Sequence, residues 1–313
     1  MPRSIHEQIA ANKRLSIFYA FLIIVLLAAL GGAITGYYAF DYWIFGTVGA
    51  ALLGLIVAIV GWTSGSKIVL KLSNARTATP LELQTVNNVS EEMAIAAGIP
   101  KPEVYVIDDP TPNAFATGRK PEEGIVCVTT GLLEVLNREE LQGVVAHEIG
   151  HIRNNDIKFM TTLAIVVGLI PLISHFFLRS LWFGGGRRRG EGGGNVVMIV
   201  IALALALLAP IMAKLRELAV SRKREYMADA SAAQFTRNPD ALASALEKLS
   251  KPTTKLEAAS KATEHMFIVN PFKPLQKANS LFSTHPPTAK RIAALRGLSG
   301  MDYRKYLSLD DSD

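Results

Sequence analysis

Residues 137–151 of this 313-residue chain read NREELQGVVAHEIGH. Apolar side chains recur along this stretch at three- and four-residue spacing, which predicts an amphipathic helix. Asn137, with a glutamate three residues later, has the spacing of a capping box and marks the start of that helix. His147 and His151 lie four residues apart, so both imidazoles can reach one metal ion, and Glu148 stands beside the first of them.

Two histidines at this spacing around a glutamate match a known zinc-binding pattern, in a chain with only six histidines. A catalytic zinc keeps three protein ligands and one open position, so a third ligand must come from elsewhere. The candidate is Glu225, in the run SRKREYMAD at 221–229. Asp229, one turn later, can accept the second N–H of a ligating histidine. On the residues alone, a surface carboxylate paired with Arg222 explains Glu225 equally well.

Long uncharged runs predict that much of the chain lies in a membrane. Half of the residues are hydrophobic and 19% are charged, against about 25% charged in ordinary soluble proteins. The uncharged runs at 15–40 and 42–66 each exceed the roughly 20 helical residues that cross a bilayer core of about 30 Å. Two further runs, 159–178 and 195–213, predict a second hairpin. A single cysteine, Cys127, excludes an intramolecular disulfide framework.

Lysine and arginine residues flank both outer ends of the first hairpin, which places those ends in the cytoplasm. Arg187–Arg189, between the third and fourth runs, would then lie outside; the first spans usually dominate topology, so the assignment stands. The net charge of +6 fits chain orientation and contact with lipid headgroups better than nucleic-acid binding. The predicted domains are a membrane hairpin at 1–72, a polar segment at 73–158, a second hairpin at 159–213 and a second polar segment at 214–313.

The two polar segments must fold together outside the lipid. Apolar periodicity predicts helices, and short β-rich runs between turn formers predict strands. Residues 113–118 read NAFATG and are expected to form a third strand at the sheet edge. The other predicted elements are helices at 81–97, 137–153, 214–235, 240–249 and 287–295, and strands at 104–107 and 125–128.

The order of these motifs resembles the HtpX family, membrane-embedded zinc metalloproteases of the gluzincin type. The resemblance runs from about residue 14 to 295 and includes NAFATG, TGLL at 130–133, the His-Glu-x-x-His helix and the SRxxEYxAD helix. It implies a mainly α membrane protein with four transmembrane helices. It also implies a cytosolic α+β zincin-like metallopeptidase domain with a small sheet.

The resemblance implies one zinc per chain on His147, His151 and Glu225, with catalysis by Glu148. It also implies an endopeptidase of the inner cell membrane with its catalytic domain in the cytoplasm. The expected task is stress-linked quality control, the cleavage of misfolded or damaged membrane proteins. The expected partners are therefore protein substrates and the lipid bilayer, and no nucleic acid.

In such an enzyme Glu148 takes a proton from the attacking water and passes it to the leaving amine. His285 could donate a hydrogen bond to the tetrahedral oxyanion, although a packing role beside the following prolines explains it equally well. An extended substrate would add a strand to the predicted sheet edge. The substrate-binding residues would then be Asn113, Ala114, Phe115, Ala116 and Thr117.

Two alternatives remain open from the sequence. The first is a CaaX-type prenyl-protein protease, which uses the same kind of zinc site but should have more transmembrane helices, arranged around a chamber. The second is a metal-binding membrane scaffold without catalysis. A metal transporter would place its ligands inside the spans, whereas His147 and His151 lie on a helix that also carries charged residues.

Overall fold

The structure is a computed structural model and describes only part of the chain. The described residues are scattered positions between 14 and 36, and the ranges 39–162, 164–165, 222–251, 256–259, 263–271 and 286–299. Two compact units divide the chain, one formed by 1–64 with 165–215 and the other by 65–164 with 216–313. Most of the second predicted hairpin and His285 lie outside the described residues.

Helices dominate both units. Those whose bounds lie within the described residues are α1 (Trp43–Leu72), α2 (Pro80–Ala97), α3 (Thr130–Val135), α4 (Arg138–Arg153), α5 (Arg222–Thr236), α6 (Pro239–Leu249) and α7 (Thr288–Leu298). Residues 156–162 and 164–165 are helical as well. The helices predicted at 81–97, 137–153, 240–249 and 287–295 are confirmed with small shifts of their ends, whereas α3 was not predicted. The part of the 214–235 prediction that precedes α5 lies outside the described residues.

Most of helix α1 lies in the first unit, where it is the main hydrophobic element among the described residues. Among the described residues, one stretch, Phe40–Leu72, is long and apolar enough to cross a membrane by length and composition. A Cβ on Gly46 would lie 2.5 Å from the carbonyl oxygen of Gly31, and one on Gly54 would lie 3.1 Å from Leu27. The first uncharged run therefore packs antiparallel against α1 through small residues, as transmembrane helices do. The predicted count of four spans is not confirmed.

A four-stranded mixed sheet lies in the second unit. Its strands are β1 (Arg76–Thr77), β2 (Glu103–Ile107), β3 (Ala114–Thr117) and β4 (Ile125–Thr129), in the order β1-β2-β4-β3. The central pair, β2 and β4, is parallel, and the two outer strands are antiparallel to their neighbours. The strands predicted at 104–107 and 125–128 are confirmed, and β3 lies at the sheet edge as predicted.

Both faces of the sheet are buried. Alternate side chains of a strand point to opposite sides of the sheet, so each strand contributes to two cores. Val126 and Val128 of β4 face one core, which contains apolar residues of α2, α4 and α6. Cys127, between them, faces a second core built from the end of α1, Met160 and Phe267. The sheet therefore lies between a helical layer that includes α4 and a second layer formed by the end of α1, the helical residues around Met160 and the segment that contains Phe267. Its buried edge strand β3 runs beside α4.

Helices α4 and α6 cross in very close contact at Gly143. A Cβ on Gly143 would lie 2.7 Å from the backbone nitrogen of Leu242 and 2.9 Å from its Cα, closer than real Cβ atoms come to backbone. Only glycine allows this approach without moving one helix. In α1, by contrast, a Cβ on Gly49 would meet nothing within 4 Å.

We expect Gly143→Ala to lower the free energy of unfolding by about 1–3 kcal/mol, because the added methyl overpacks the crossing of α4 and α6. The measurement is thermal unfolding of the detergent-solubilised protein. Gly49→Ala serves as the matched control and should leave the unfolding midpoint unchanged or slightly raised. Equal midpoints for the two variants would show that the crossing adjusts without cost.

Candidate active site

Helix α4 carries His147, Glu148 and His151 into the protein interior, where they are 0%, 1% and 3% exposed. The start of the helix is set by the predicted capping box. The Asn137 side chain accepts the N–H of Glu140, and the Glu140 carboxylate accepts the N–H of Asn137. The four-residue spacing then puts both imidazoles on one face, with their Nε2 atoms 3.2 Å apart.

Helix α5 supplies a third side chain to this face. The two Glu225 carboxylate oxygens lie 3.4 Å from Nε2 of His151 and 3.8 Å from Nε2 of His147. One nitrogen or oxygen atom from each of the three residues lies within 4.8 Å of the others. Glu225 is 5% exposed, so it is a buried residue and not the surface carboxylate that the sequence left open.

Gly150 allows α4 and α5 to come this close. A Cβ at this position would lie 3.1 Å from Cβ of Ser231 and 3.3 Å from the Cα and carbonyl oxygen of Ala228. A larger side chain would push α5 away from α4. The glycine between the two histidines therefore helps to bring Glu225 within reach of both imidazoles.

A separate carboxylate faces the other ring nitrogen of each histidine. Oδ1 of Asp229 lies 2.9 Å from Nδ1 of His147, and Oδ2 of Asp156 lies 3.2 Å from Nδ1 of His151. Both carboxylates are buried. An Nδ1–H group that donates to each leaves both Nε2 atoms facing Glu225 as acceptors, the arrangement that metal-binding histidines adopt.

Arg291, on α7, balances part of this negative charge. Its guanidinium donates to Asp229 through Nε at 2.9 Å and through Nη2 at 2.7 Å, and to the Ile268 carbonyl at 2.9 Å. The side chain is 1% exposed. Burial would raise the pKa of Asp229, but the Arg291 cation holds it below its usual range. Burial and the same cation lower the pKa of His147, whereas Asp156 and Glu225 raise that of His151 against its burial.

Glu148 differs from the other acidic residues of the cluster. Among the described residues, no hydrogen-bond partner reaches either of its carboxylate oxygens. Burial raises the pKa of Glu148 to about 8. A buried carboxylate without a partner is costly to maintain for stability alone, so its position beside the histidines indicates a role toward a ligand.

These residues fit a zinc ion. Two imidazole nitrogens and one carboxylate oxygen form the His₂Glu donor set of catalytic zinc sites, and that set leaves a coordination position open. His147, His151 and Glu225 could hold the metal. The Glu148 carboxylate, which has no hydrogen-bond partner among the described residues, lies near His151 and Glu225 in the same cluster.

The predicted substrate strand, β3, lies close to this cluster and is buried along Asn113–Thr117. The Ala114 carbonyl accepts the N–H of Ile268 at 2.9 Å, so the chain at 267–269 covers the outer edge of β3 there. Phe115 and Phe267 pack edge to face beneath this pairing. The main chain of Ala116 is close to the Glu148 carboxylate without forming a regular hydrogen bond, and it lowers the pKa of that carboxylate against the larger effect of burial.

The structure thus brings together most of the predicted site residues: His147, Glu148, His151, Glu225, Asp229 and β3. His285 lies outside the described residues, so its position relative to the cluster is not described. Sequence reasoning assigned no role to Asp156. For Arg291 it offered only a resemblance, since an arginine that follows the Thr-His-Pro run at 284–286 matches a C-terminal position of the family. The only sequence signal for Asp156 is an acidic residue five positions after His151, and such a residue is common.

A helix with two histidines and a buried glutamate, joined by a glutamate from a second helix, defines the site of a metalloprotease. The family model described as Peptidase family M48 matches residues 80–299. That range includes every element of the candidate site.

Relatives named "Protease HtpX homolog" match nearly the whole chain. The one from Caldanaerobacter subterraneus subsp. tengcongensis is 45% identical and covers 95% of this chain and 99% of that relative. Those from Streptococcus uberis and Listeria monocytogenes are 43% and 42% identical, each covering 93% of this chain and 99% of the relative. A solved structure titled "Crystal Structure of S. mikatae Ste24p" is 20% identical, with a TM-score of 0.49 over 91% of this chain and 67% of that one.

The chain belongs to the HtpX family of zinc metalloproteases within peptidase family M48. It is accordingly a membrane metalloprotease that uses zinc. Family membership confirms the resemblance stated from the motifs, and the enzyme class and cofactor that it implied.

We expect Arg291→Met to lower the free energy of unfolding by about 3–5 kcal/mol, because it leaves the buried Asp229 carboxylate without its cation. The measurement is denaturant unfolding of the detergent-solubilised, metal-free protein. Arg296→Met is the matched control on the same helix. Its partners, Asp240 and Glu247, are partly exposed, so the loss should be about 1 kcal/mol or less.

The double variant Arg291→Met/Asp229→Asn should be more stable than the sum of the two single losses predicts, because the neutral amide no longer needs a counter-charge. If the losses of stability in the two single variants simply add in the double variant, Arg291 does not stabilise the protein through Asp229.

Proposed function

We propose that His147, His151 and Glu225 hold the catalytic zinc of this metalloprotease, and that Glu148 is its general base. The observation that carries this proposal is the buried cluster itself. Both Nε2 atoms face the Glu225 carboxylate, while the Glu148 oxygens have no partner among the described residues. Family membership and this complete set favour an enzyme over the non-catalytic metal-binding scaffold.

When bound there, zinc supplies a Lewis acid that polarises the scissile carbonyl and lowers the pKa of its water. Glu148 accepts a proton from the attacking water and delivers it to the leaving amine. Burial raises the pKa of Glu148 to about 8, close to the neutral pH at which a general base would work. Asp229 keeps the His147 ring oriented throughout, since it accepts from Nδ1.

An extended substrate would pair with β3 by its main chain, in the manner of strand addition. Because Ile268 already occupies the Ala114 carbonyl, we place the productive pairing at Ala116, next to Glu148. Main-chain pairing recognises the extended shape of a peptide more than its sequence. We therefore propose a broad set of protein substrates, with His285 kept as a predicted donor to the oxyanion.

We further propose that the substrates are misfolded or damaged membrane proteins and that the enzyme acts in stress-linked quality control. Two features support this. The chain contains a helix that is long and apolar enough to span a bilayer, which keeps the protease in the same membrane as such substrates. The strand-addition mode requires an extended segment, which a damaged protein exposes and a folded one hides.

The proposed topology has four spans in the inner membrane, in two hairpins at 1–72 and 159–213, and a cytoplasmic catalytic domain from 73–158 and 214–313. Antiparallel packing of the first run on α1 at Gly46 and Gly54 supports the first hairpin. A Cβ on Gly61 of α1 would lie 3.1 Å from Ile165, so the third run begins against the same helix. Because α4 and α5 meet at one site, the chain between them must cross an even number of times.

We expect Glu148→Gln to retain one zinc per chain while casein cleavage falls about 10²–10⁴-fold, because an amide cannot accept the proton from water. His147→Ala and Glu225→Gln should lose zinc and activity together. Metal analysis and casein cleavage are measured on the same detergent-purified samples, with and without a zinc chelator.

Glu134→Gln, an exposed acidic position in α3, is the control and should keep both zinc and activity. Full zinc in His147→Ala would contradict the ligand assignment. A loss of only a few-fold in Glu148→Gln would remove that residue from the role of general base.

For topology, we expect a cysteine at Gly190, in a chain carrying Cys127→Ala, to react with a membrane-impermeant thiol reagent added to intact cells. Residue 190 lies between the third and fourth runs, which this proposal places outside the cytoplasm. Glu134→Cys, exposed on the catalytic domain, should react only after the membrane is opened. Labelling of both cysteines only after the membrane is opened would mean that the second hairpin does not span. The reverse of the expected pattern would mean that the orientation is inverted.

A further inference from the structure

We propose that Asp156 is a positioning residue for the metal centre: its carboxylate holds the His151 ring so that Nε2 faces the zinc. This inference rests on the proposed zinc ligation by His147, His151 and Glu225. It concerns a residue outside the His-Glu-x-x-His pattern and outside the helix that carries Glu225.

The contacts of His151 define this role. Oδ2 of Asp156 lies 3.2 Å from Nδ1 of the imidazole. On the opposite side of the ring, Nε2 lies 3.4 Å from a Glu225 oxygen and 3.2 Å from Nε2 of His147. A proton on Nδ1 that donates to Asp156 leaves the Nε2 lone pair free to bind a metal.

The backbone turn after α4 brings Asp156 close to His151. The N–H of Asn154 bonds to the Gly150 carbonyl, and that of Asn155 bonds to the Ile152 carbonyl. Asn155 has a φ of 58°, in the left-handed region that asparagine tolerates better than most residues. This two-residue turn separates α4 from the next helical stretch and lets Asp156 contact His151 of the helix that precedes it.

The segment that follows Asp156 is fixed in place. Ile157 is fully buried in the main core. The Met160 carbonyl is 3.1 Å from Nε2 of His265, and the Thr161 hydroxyl is 2.8 Å from the hydroxyl of Thr117 on β3. Asp156 therefore stands at the start of a rigid segment, as a residue must if it is to hold another side chain in one orientation.

A buried cation of α5, Arg224, lies near Asp156. Arg224 is 7% exposed, with its guanidinium 4.7 Å from the centroid of the Phe159 ring. Burial lowers the pKa of Arg224, and its interactions with Asp156 and Glu225 oppose that shift.

Each histidine thus has its own orienting carboxylate, Asp229 from α5 for His147 and Asp156 for His151. Removal of such a hydrogen-bond partner typically lowers metal affinity 10- to 100-fold, because the ring loses both its fixed orientation and part of its basicity. The loss should appear in zinc binding even where the fold is unchanged.

The test uses the full-length, detergent-solubilised protein with its zinc removed. Zinc affinity is measured by competition with a chromophoric chelator, and the absorption spectrum of added Co²⁺ reports ligand geometry. Thermal unfolding of the metal-free samples reports folding separately. The variants are Asp156→Asn and Asp156→Ala, with Asp109→Asn as the control. Asp109 has the same 5% exposure as Asp156, but its carboxylate accepts backbone N–H groups of Thr111, Glu257 and Ala258.

We expect Asp156→Asn to weaken zinc binding about 10- to 100-fold and to alter the Co²⁺ spectrum, with a smaller effect on metal-free unfolding than Asp109→Asn has. Asp156→Ala should weaken zinc binding at least as much. It serves as the test of the positioning role if Asp156→Asn folds poorly. Asp109→Asn should keep the zinc affinity of the unsubstituted protein.

Zinc affinity within three-fold of the unsubstituted protein in both Asp156 variants would overturn the positioning role. So would equal losses of affinity in the Asp156 variants and in Asp109→Asn, since a general loss of stability would then explain them. Failure of the unsubstituted protein to bind zinc is a different result, because it would overturn the proposed ligation itself.

Discussion

Each imidazole at the crossing of α4 and α5 lies between two carboxylates, and this arrangement sets what the surrounding structure must provide. Glu225 faces the Nε2 atoms of both rings, while Asp229 and Asp156 face the two Nδ1 atoms. The helices must therefore approach closely at Gly150, and the chain after α4 must turn back at once. Neither requirement can be relaxed without releasing one of the rings.

Burial of so many acidic groups demands compensating positive charge, because an isolated ion in the protein interior is costly. Two buried guanidinium groups, those of Arg291 and Arg224, lie near the cluster. Zinc bound by His147, His151 and Glu225 would add two further positive charges there. The buried acidic residues of the cluster are Glu148, Asp156, Glu225 and Asp229. Helix α7 belongs to the site for this reason, since it brings Arg291 against Asp229.

The sheet contributes to the site by its edge. Strand β3 is buried on both faces, yet its outer edge runs beside α4, and part of that edge is already paired at Ala114 by Ile268. This leaves Ala116, next to Glu148, as the point where an added peptide strand would meet the proposed general base. The same strand is tied through Thr117 to Thr161, so the segment that carries Asp156 also contacts the proposed substrate strand.

Features that depend only on residues close together in the sequence could be predicted from the sequence. The helical spacing placed His147 and His151 on one face, and the capping box at Asn137 located the start of their helix, because both follow from local backbone geometry. Short β-rich runs between turn formers likewise located β2 and β4, with β3 expected at the sheet edge between them in sequence. The apolar length of α1 identified a potential membrane span for the same reason.

Contacts between distant segments were decided only by the tertiary structure. The chain has 27 acidic residues, and nothing local distinguishes Asp156 or shows that Glu225 is buried. The meeting of Arg291 with Asp229 joins residues 62 positions apart, and the coverage of β3 by the chain at 267–269 joins segments that are farther apart still. Helix propensity and hydrophobic period describe one element at a time, whereas these contacts exist because several elements pack around one buried set of charges.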